Sequence, residues 1–269
     1  MARVSGVPRL AGGRRAAFPT RPLPDPRGKG PFRPFADPGW NEAWWWLGIP
    51  LAVAVFTIAS YSVDIEWHRA WVTRESGILE TAQFIFMVMG LAIVAQLLFD
   101  PFVKSRPFVF AFALFAGLVC FYIGGEEVSW GQHIFHWQSP DLVTELNDEG
   151  EFSLHNMNKA FERTPRTLLE LGVFIGGILV PAACAVWPKL RQASLALFLP
   201  CAALVPIAFF ALYFKLAGML AKYDVVGAVA GRPSEAVEFY LYFFIFAYLV
   251  VFERRIHALE TEKVRADKD

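Results

Sequence analysis

Cysteine is scarce in this chain, and the few cysteines give no sign of a disulfide framework. Cys120, Cys184 and Cys201 each lie inside an apolar run, where a cysteine packs as a small apolar residue. An excess of charge of one sign is also absent, because 25 basic residues are matched by 25 acidic ones. A chain balanced in this way has no overall positive field, so we expect no nucleic-acid partner.

The N-terminal segment lacks the apolar stretch that a signal peptide requires. Residues 1–39 are rich in arginine, proline and glycine, a composition that buries too little apolar surface to form a core. We therefore predict a disordered cytoplasmic tail over residues 1–39, a membrane domain over residues 40–256 and a charged cytoplasmic tail over residues 257–269.

Long apolar stretches, by contrast, are abundant. Hydrophobic residues make up 55% of the chain. A helix that crosses the bilayer needs about 20 of them in succession, because the hydrocarbon core is about 30 Å thick. The predicted fold class is all-α, a polytopic transmembrane helix bundle of about six spans with an amphipathic outer loop over residues 126–166. The predicted spans are Trp44–Tyr61, Ile78–Phe99, Pro107–Gly125, Leu168–Trp187, Ser194–Phe214 and Ala236–Phe252.

The distribution of lysine and arginine predicts that both termini are cytoplasmic. With the N-terminus inside, 17 of the 25 basic residues fall on the cytoplasmic side of this map and 8 on the outer side. Tryptophans cluster at the span ends, as is typical of residues that lie at the level of the lipid headgroups. They are Trp44, Trp45, Trp46 and Trp187 on the inner side, and Trp67, Trp71, Trp130 and Trp137 on the outer side.

Ionisable side chains gather on the predicted outer side, which carries four of the five histidines. The densest segment is 124–137, where two glycines precede a pair of glutamates. If the helix resumes there, Glu126, Ser129, His133 and His136 fall at i, i+3, i+7 and i+10 and share one stripe.

Such a stripe suits two kinds of chemistry. Neutral imidazoles and a carboxylate are ordinary ligands for Zn²⁺ or Fe²⁺, and an open coordination position would activate water. The same groups suit proton transfer without a metal. A polar, hydrogen-bonded interfacial helix is the structural alternative. The predicted metal ligands are His133, His136, His155 and Glu126, and the predicted catalytic residues are Glu126, Glu127, Ser129 and His133.

Other polar residues are predicted to support this site from nearby segments. The acidic part of the outer loop, with Glu151, leads into a short amphipathic helix near residues 153–163. This loop either folds over the outer face as a lid or remains a solvated acidic loop. Glu80 and Gln83 lie one turn apart at the start of the second span, where they either support the ligands or join helices. Glu235 and Glu238 either add carboxylates to the same face or cap the sixth span.

Three stretches of the chain resemble a family of bacterial multi-pass membrane proteins. They are Arg74-Glu75-Ser76-Gly77-Ile78-Leu79-Glu80, then Gly125-Glu126-Glu127-Val128-Ser129-Trp130-Gly131-Gln132, and then Leu154-His155-Asn156. The resemblance covers roughly residues 64–160 and implies that the outer face is the working surface. We expect a bacterial inner (cytoplasmic) membrane protein whose site faces the periplasm.

A second resemblance is to the ceramidase-like membrane hydrolases, the alkaline ceramidases. Ser129-x-x-x-His133 is similar to one of their motifs, and Glu66-Trp67 followed by Glu80 is similar to their acidic N-terminal segment. This resemblance implies a zinc site. The chain departs from that family in having no His-x-x-x-His pair on a late span, and in having six predicted spans where the family has seven.

Three classes of function follow from these observations. The leading hypothesis is a membrane-embedded enzyme with an outer-leaflet His/Glu site, a metal-dependent hydrolase or transferase acting on a lipid-like substrate. The second is a non-enzymatic membrane subunit or assembly factor that docks a membrane-protein partner or another copy of itself through the outer loop. The third is a proton-coupled transporter, although the middles of the predicted spans lack ionisable residues.

Overall fold

The computed structural model describes residues 37–74, 77–135, 159–187, 189–190, 196–223, 230 and 232–266, without the side chains of 133–134, 159–164 and 262–266. Every regular element in these ranges is helical. Six helices are long and apolar enough to cross a membrane, which confirms the predicted all-α bundle of six spans. In chain order they are Trp44–Val63, Ile78–Phe99, Pro107–Glu127, Pro165–Val186, Ala196–Lys222 and Pro233–Thr261, referred to below as the first to sixth spans.

The span bounds differ from the predicted ones chiefly at the polar ends. The fifth span ends at Lys222 rather than at Phe214, so Lys215 lies within it. The helix of the fourth span begins at Lys159 and runs through Pro165, so residues 159–166 of the predicted outer loop are helical and continuous with that span. The sixth span belongs to one helix, Pro233–Ala266, which extends beyond both predicted ends. Hydropathy locates the apolar centre of a helix, whereas its ends are set by backbone hydrogen bonding and packing.

The sixth span is the central helix of the bundle. In its apolar window 61% of the residues are buried, against 22% to 44% in the other five spans. Aromatic side chains join it to its neighbours: the ring of Phe86 on the second span stacks on those of Phe243 and Phe246. The hydroxyl of the buried Tyr240 donates a hydrogen bond to the carbonyl oxygen of Pro50 on the first span, over 2.8 Å.

Short capped segments reverse the chain between the spans. Asp100 ends the second span and accepts hydrogen bonds from the backbone of Phe102 and Val103, which starts the four-residue helix Pro101–Lys104. The first, third and fifth spans end, and the second, fourth and sixth begin, at one end of the bundle. We call this the polar end, because the glutamates at the starts of the second and sixth spans and at the end of the third lie there.

Candidate functional site

The third span ends in an unusual turn. The helix stops at Glu127, and three consecutive residues then have positive φ angles: Ser129 at 45°, Trp130 at 53° and Gly131 at 91°. A left-handed backbone is unfavourable for residues with a side chain, so surrounding contacts must hold it in place. The predicted single stripe through Glu126, Ser129, His133 and His136 required an unbroken helix. That prediction is wrong, because the helix resumes only at Gln132, after the turn.

Trp130 supplies the contacts that hold this turn. Its indole Nε1 donates a hydrogen bond of 2.7 Å to Oε1 of Glu126. Its ring lies against Gly125 so closely that a Cβ atom there would be 3.0 Å from the ring carbons, and its edge packs on Phe121. Glycine at this position therefore allows the tryptophan to fold back over the helix end. The consequence is that Glu126 is engaged by its own segment.

Glu127 turns instead toward the centre of the bundle. It accepts a hydrogen bond from the hydroxyl of Tyr242 on the sixth span and interacts electrostatically with Glu80, Glu235 and Glu238. All four carboxyl groups belong to partly buried residues. Three different spans thus bring four glutamates to the polar end, and we call these residues together with Tyr242 the carboxylate cluster. Charged groups within a membrane bundle are costly to bury, which marks them as candidates for function.

Basic residues of the fourth and fifth spans border this cluster. Arg166 Nη1 lies 2.5 Å from Oε1 of Glu238, and its Nε lies 3.4 Å from Oε1 of Glu170. Lys215 Nζ lies 2.8 Å from the same Glu170 oxygen. We call these four residues the charge ladder, which runs from the fifth span across the fourth to the sixth. The ladder neutralises one edge of the cluster and fixes the relative positions of the three helices.

Gln83 connects the second span to the sixth beneath Glu80. Its side chain is fully buried and its Nε2 donates a hydrogen bond of 3.1 Å to the carbonyl oxygen of Glu235. Its Oε1 is also buried and has no hydrogen-bond partner. A buried acceptor without a donor costs free energy, so a bound polar group beside it would be stabilised.

A histidine in the first connecting segment is buried as well. Ser60 donates its hydroxyl hydrogen to the carbonyl oxygen of Thr57 over 3.1 Å, and Nδ1 of His68 lies 2.8 Å from the Ser60 oxygen. This geometry favours the tautomer in which Nδ1 carries the hydrogen, leaving the buried Nε2 without a partner. Burial and the neighbouring charge of Arg69 lower the pKa of His68, which keeps its ring neutral.

The predicted site residues divide into three groups. Glu80, Gln83 and Glu127 lie at the cluster, whereas Glu126 faces Trp130 and Ser129 is buried in the left-handed turn. The side chain of His133 and all of His136, Glu151 and His155 lie outside the described residues. Among the side chains that the structure does describe, no three of His, Cys, Asp or Glu are arranged to hold a metal ion together.

Sequence reasoning missed Tyr242, which contributes the hydroxyl to the cluster. A signal for it exists, because Glu235, Glu238 and Tyr242 are spaced by three and four residues and so share one face of the sixth helix. The spacing becomes informative once the sixth helix is known to begin at Pro233 and to lie at the centre of the bundle.

Comparison of the chain with protein-family models, curated proteins and solved structures found no match in any of the three.

Proposed function

We propose that the protein is a membrane-embedded enzyme that acts on a lipid-like substrate at the polar end, with Glu127 as its acid–base group. The observation that supports this proposal is the position of Glu127, which is hydrogen-bonded to Tyr242 and lies among three further glutamates. A positioned glutamate is one of the side chains that transfer protons to and from a reacting group. At the end of a bundle they lie near the level at which a lipid carries its reactive bonds.

The proposed reaction class is a hydrolysis or a group transfer. Glu127 would take a proton from the attacking water or hydroxyl and return it to the leaving group. Tyr242 would hold the Glu127 carboxyl in position through its hydrogen bond. The proposed topology has both termini in the cytoplasm of a bacterium, and the carboxylate cluster then faces the periplasmic side of the inner membrane.

Metal dependence is part of the proposal. Glu126, His133, His136 and His155 are the proposed ligands of Zn²⁺ or Fe²⁺, because neutral imidazoles and a carboxylate are ordinary ligands of these ions. Elemental analysis of the detergent-purified protein tests this directly, with wild type beside His133→Ala and His155→Ala. Near-stoichiometric metal that is lost in both variants supports a single site. Protein that stays free of metal after loading overturns the metal assignment and leaves proton transfer by the carboxylate cluster.

The enzymatic proposal itself is tested in vesicles of bacterial polar lipids that contain the purified protein, with and without added Zn²⁺ or Fe²⁺. Lipid products are followed by mass spectrometry for wild type, Glu127→Gln and Glu260→Gln. Glu260 is a half-buried residue near the opposite end of the sixth helix and serves as the matched control. We expect Glu127→Gln to slow product formation by about 10²- to 10⁴-fold, as for loss of a general acid–base group. Equal activity of wild type and Glu127→Gln, or no protein-dependent product, would overturn the proposal.

A proton-coupled carrier is the second candidate, and the depth of Tyr242 favours it. This residue lies nine positions after Pro233, the start of the sixth helix, which at about 1.5 Å per residue is roughly 13 Å into the helix. The carboxylate cluster therefore reaches into the bundle, as the proton-binding groups of carriers do. Proton uptake into liposomes that is lost in Glu127→Gln, without any lipid product, would favour the carrier over the enzyme.

A further inference from the structure

The fourth and fifth spans run in opposite directions and are in close contact at one glycine. A Cβ atom on Gly177 would clash with the Cβ of Ala208 and would lie 2.7 Å from the ring of Phe244. Seven positions away on each helix, Glu170 and Lys215 meet through their long side chains. At about 1.5 Å per residue this second contact lies roughly 10 Å from the crossing. The two helices therefore diverge toward the polar end.

A groove lies between the diverging helices, and residues of the sixth span form its floor. Its free volume is about 50 Å³, and apolar side chains make up nearly all of its surface: Val173, Phe174, Ala211, Leu212, Val237 and Leu241. A water-sized group needs about 10 to 15 Å³ on this measure, so the groove holds roughly three to five such groups and takes a short part of a longer chain. Phe174 is also exposed, so the groove opens on the outer surface of the bundle.

The surroundings of the groove determine what can fill it. It lies within the fourth, fifth and sixth spans, where the solvent is lipid hydrocarbon rather than water. An apolar groove at this depth is complementary to an acyl chain, which fills it without leaving a polar group unpaired. The occupant therefore has a hydrocarbon chain that enters from the side of the bundle.

The charge ladder forms the rim of the groove at the polar end. Glu170 and Lys215 line the groove itself, and Arg166 joins Glu170 to Glu238. The rim thus carries two positive and two negative charges in alternation and no net charge. A headgroup with one positive and one negative group complements both signs. The four charges are paired with one another, so a purely anionic headgroup that drew Arg166 and Lys215 to itself would leave Glu170 and Glu238 without a cation.

We propose that this groove seats one acyl chain of a zwitterionic phospholipid, with the phosphate of its headgroup at Lys215 and Arg166 and the ammonium group at Glu170 and Glu238. Glu238 interacts with Glu127, so the seated headgroup lies next to the proposed acid–base group. As a statement about the substrate class, this inference rests on the proposed enzymatic function. The seat itself is measured by binding, independently of turnover.

The experiment uses phosphatidylethanolamine with a photoactivatable acyl chain, in nanodiscs that contain the full-length protein. We expect the crosslinks to concentrate on Phe174 and Leu212. Ala211→Phe fills the groove and should reduce that labelling by roughly tenfold, the equivalent of about two buried methylene groups. Ala111→Phe, on the exposed surface of the third span, is the matched control and should leave it unchanged. Leu212→Trp, at the half-buried edge of the groove, replaces Ala211→Phe if that variant does not fold.

A second arm tests the headgroup. Phosphatidylglycerol with the same acyl chain should label the wild-type groove several-fold less than phosphatidylethanolamine does. Glu170→Gln gives the rim a net positive charge and should reverse that preference. Labelling spread evenly over the lipid-facing helices, or no loss in either groove-filling variant, would overturn the seat. The seat would also be overturned if the two lipids labelled the groove equally, both in wild type and in Glu170→Gln.

The two proposals fail in different ways. A labelled groove without any Glu127-dependent lipid product would remove the enzyme and leave the lipid seat. A Glu127-dependent product that forms at the wild-type rate in Ala211→Phe and Leu212→Trp would remove the seat and leave the enzyme.

Discussion

Arg255 is buried at the end of the bundle opposite the carboxylate cluster, and its replacement should strongly destabilise the fold. Only 3% of its side chain is exposed. Its Nη1 donates hydrogen bonds to the carbonyl oxygens of Ala196, Leu197 and Leu199, at 3.3, 3.1 and 2.6 Å. Its Nε and Nη2 lie 2.9 and 2.8 Å from Oδ1 of Asp37. One guanidinium thus joins the segment before the first span, the start of the fifth span and the sixth helix.

The neighbouring Arg254 provides a control of the same residue type. Its side chain is 37% exposed and pairs with Glu42 at 2.6 Å. Asp37 is 32% exposed, so the cost of removing Arg255 falls mainly on the three carbonyl oxygens, for which a hydrogen bond to a charged group contributes about 1.5 to 3 kcal/mol each. An exposed pair contributes about 0.2 to 1 kcal/mol. We therefore expect Arg255→Met to lower the free energy of unfolding by about 3 to 5 kcal/mol, and Arg254→Met by less than about 1 kcal/mol.

The assay is unfolding by sodium dodecyl sulfate in mixed micelles, followed by tryptophan fluorescence. Arg255→Lys adds a further comparison, since an ammonium group keeps the charge but lacks the planar fork that reaches all these acceptors. We expect its stability to lie between those of wild type and Arg255→Met. If Arg255→Met were no less stable than Arg254→Met, the hydrogen bonds of this buried guanidinium would not carry the stability argued here.

Four further variants test the packing and the buried polar groups. Gly177→Ala should lower the free energy of unfolding by about 1 to 3 kcal/mol through overpacking. Gly172→Ala, whose Cβ would meet nothing within 4 Å, should be neutral or slightly stabilising. If the two alanine variants lowered the free energy of unfolding equally, the close contact of the fourth and fifth spans at Gly177 would be contradicted. Tyr240→Phe should cost about 1 kcal/mol in the same assay through loss of its hydrogen bond to Pro50, and no loss would contradict that bond. The pKa of His68 is lowered in the folded protein, so the unfolded chain binds more protons, and the free energy of unfolding should fall as the pH drops through about 6.5. His68→Gln should make this fall smaller when unfolding is measured between pH 8 and pH 5.

The number and type of the spans could be predicted because hydropathy is a local property of the chain. Ile78–Phe99 has the same bounds in the prediction and in the structure. The site was predicted less completely. The single stripe through Glu126 and Ser129 assumed that the helix continued, whereas the backbone turns left-handed at Ser129 and Trp130. Between Ser129 and Gly131, only Gly131 is of a residue type that favours a positive φ. The contacts of Trp130 with Gly125 and Glu126 therefore account for the turn.

By itself, the sequence determined that the chain is a six-span helical membrane protein with its carboxylates near the span ends. Length, apolar content and charge position suffice for that, because the bilayer imposes the same requirements on every span. Only the tertiary structure decided that Glu127 joins Glu80, Glu235, Glu238 and Tyr242. Helix rotation and crossing depend on contacts between distant residues, and these contacts leave no periodic signal in any one segment.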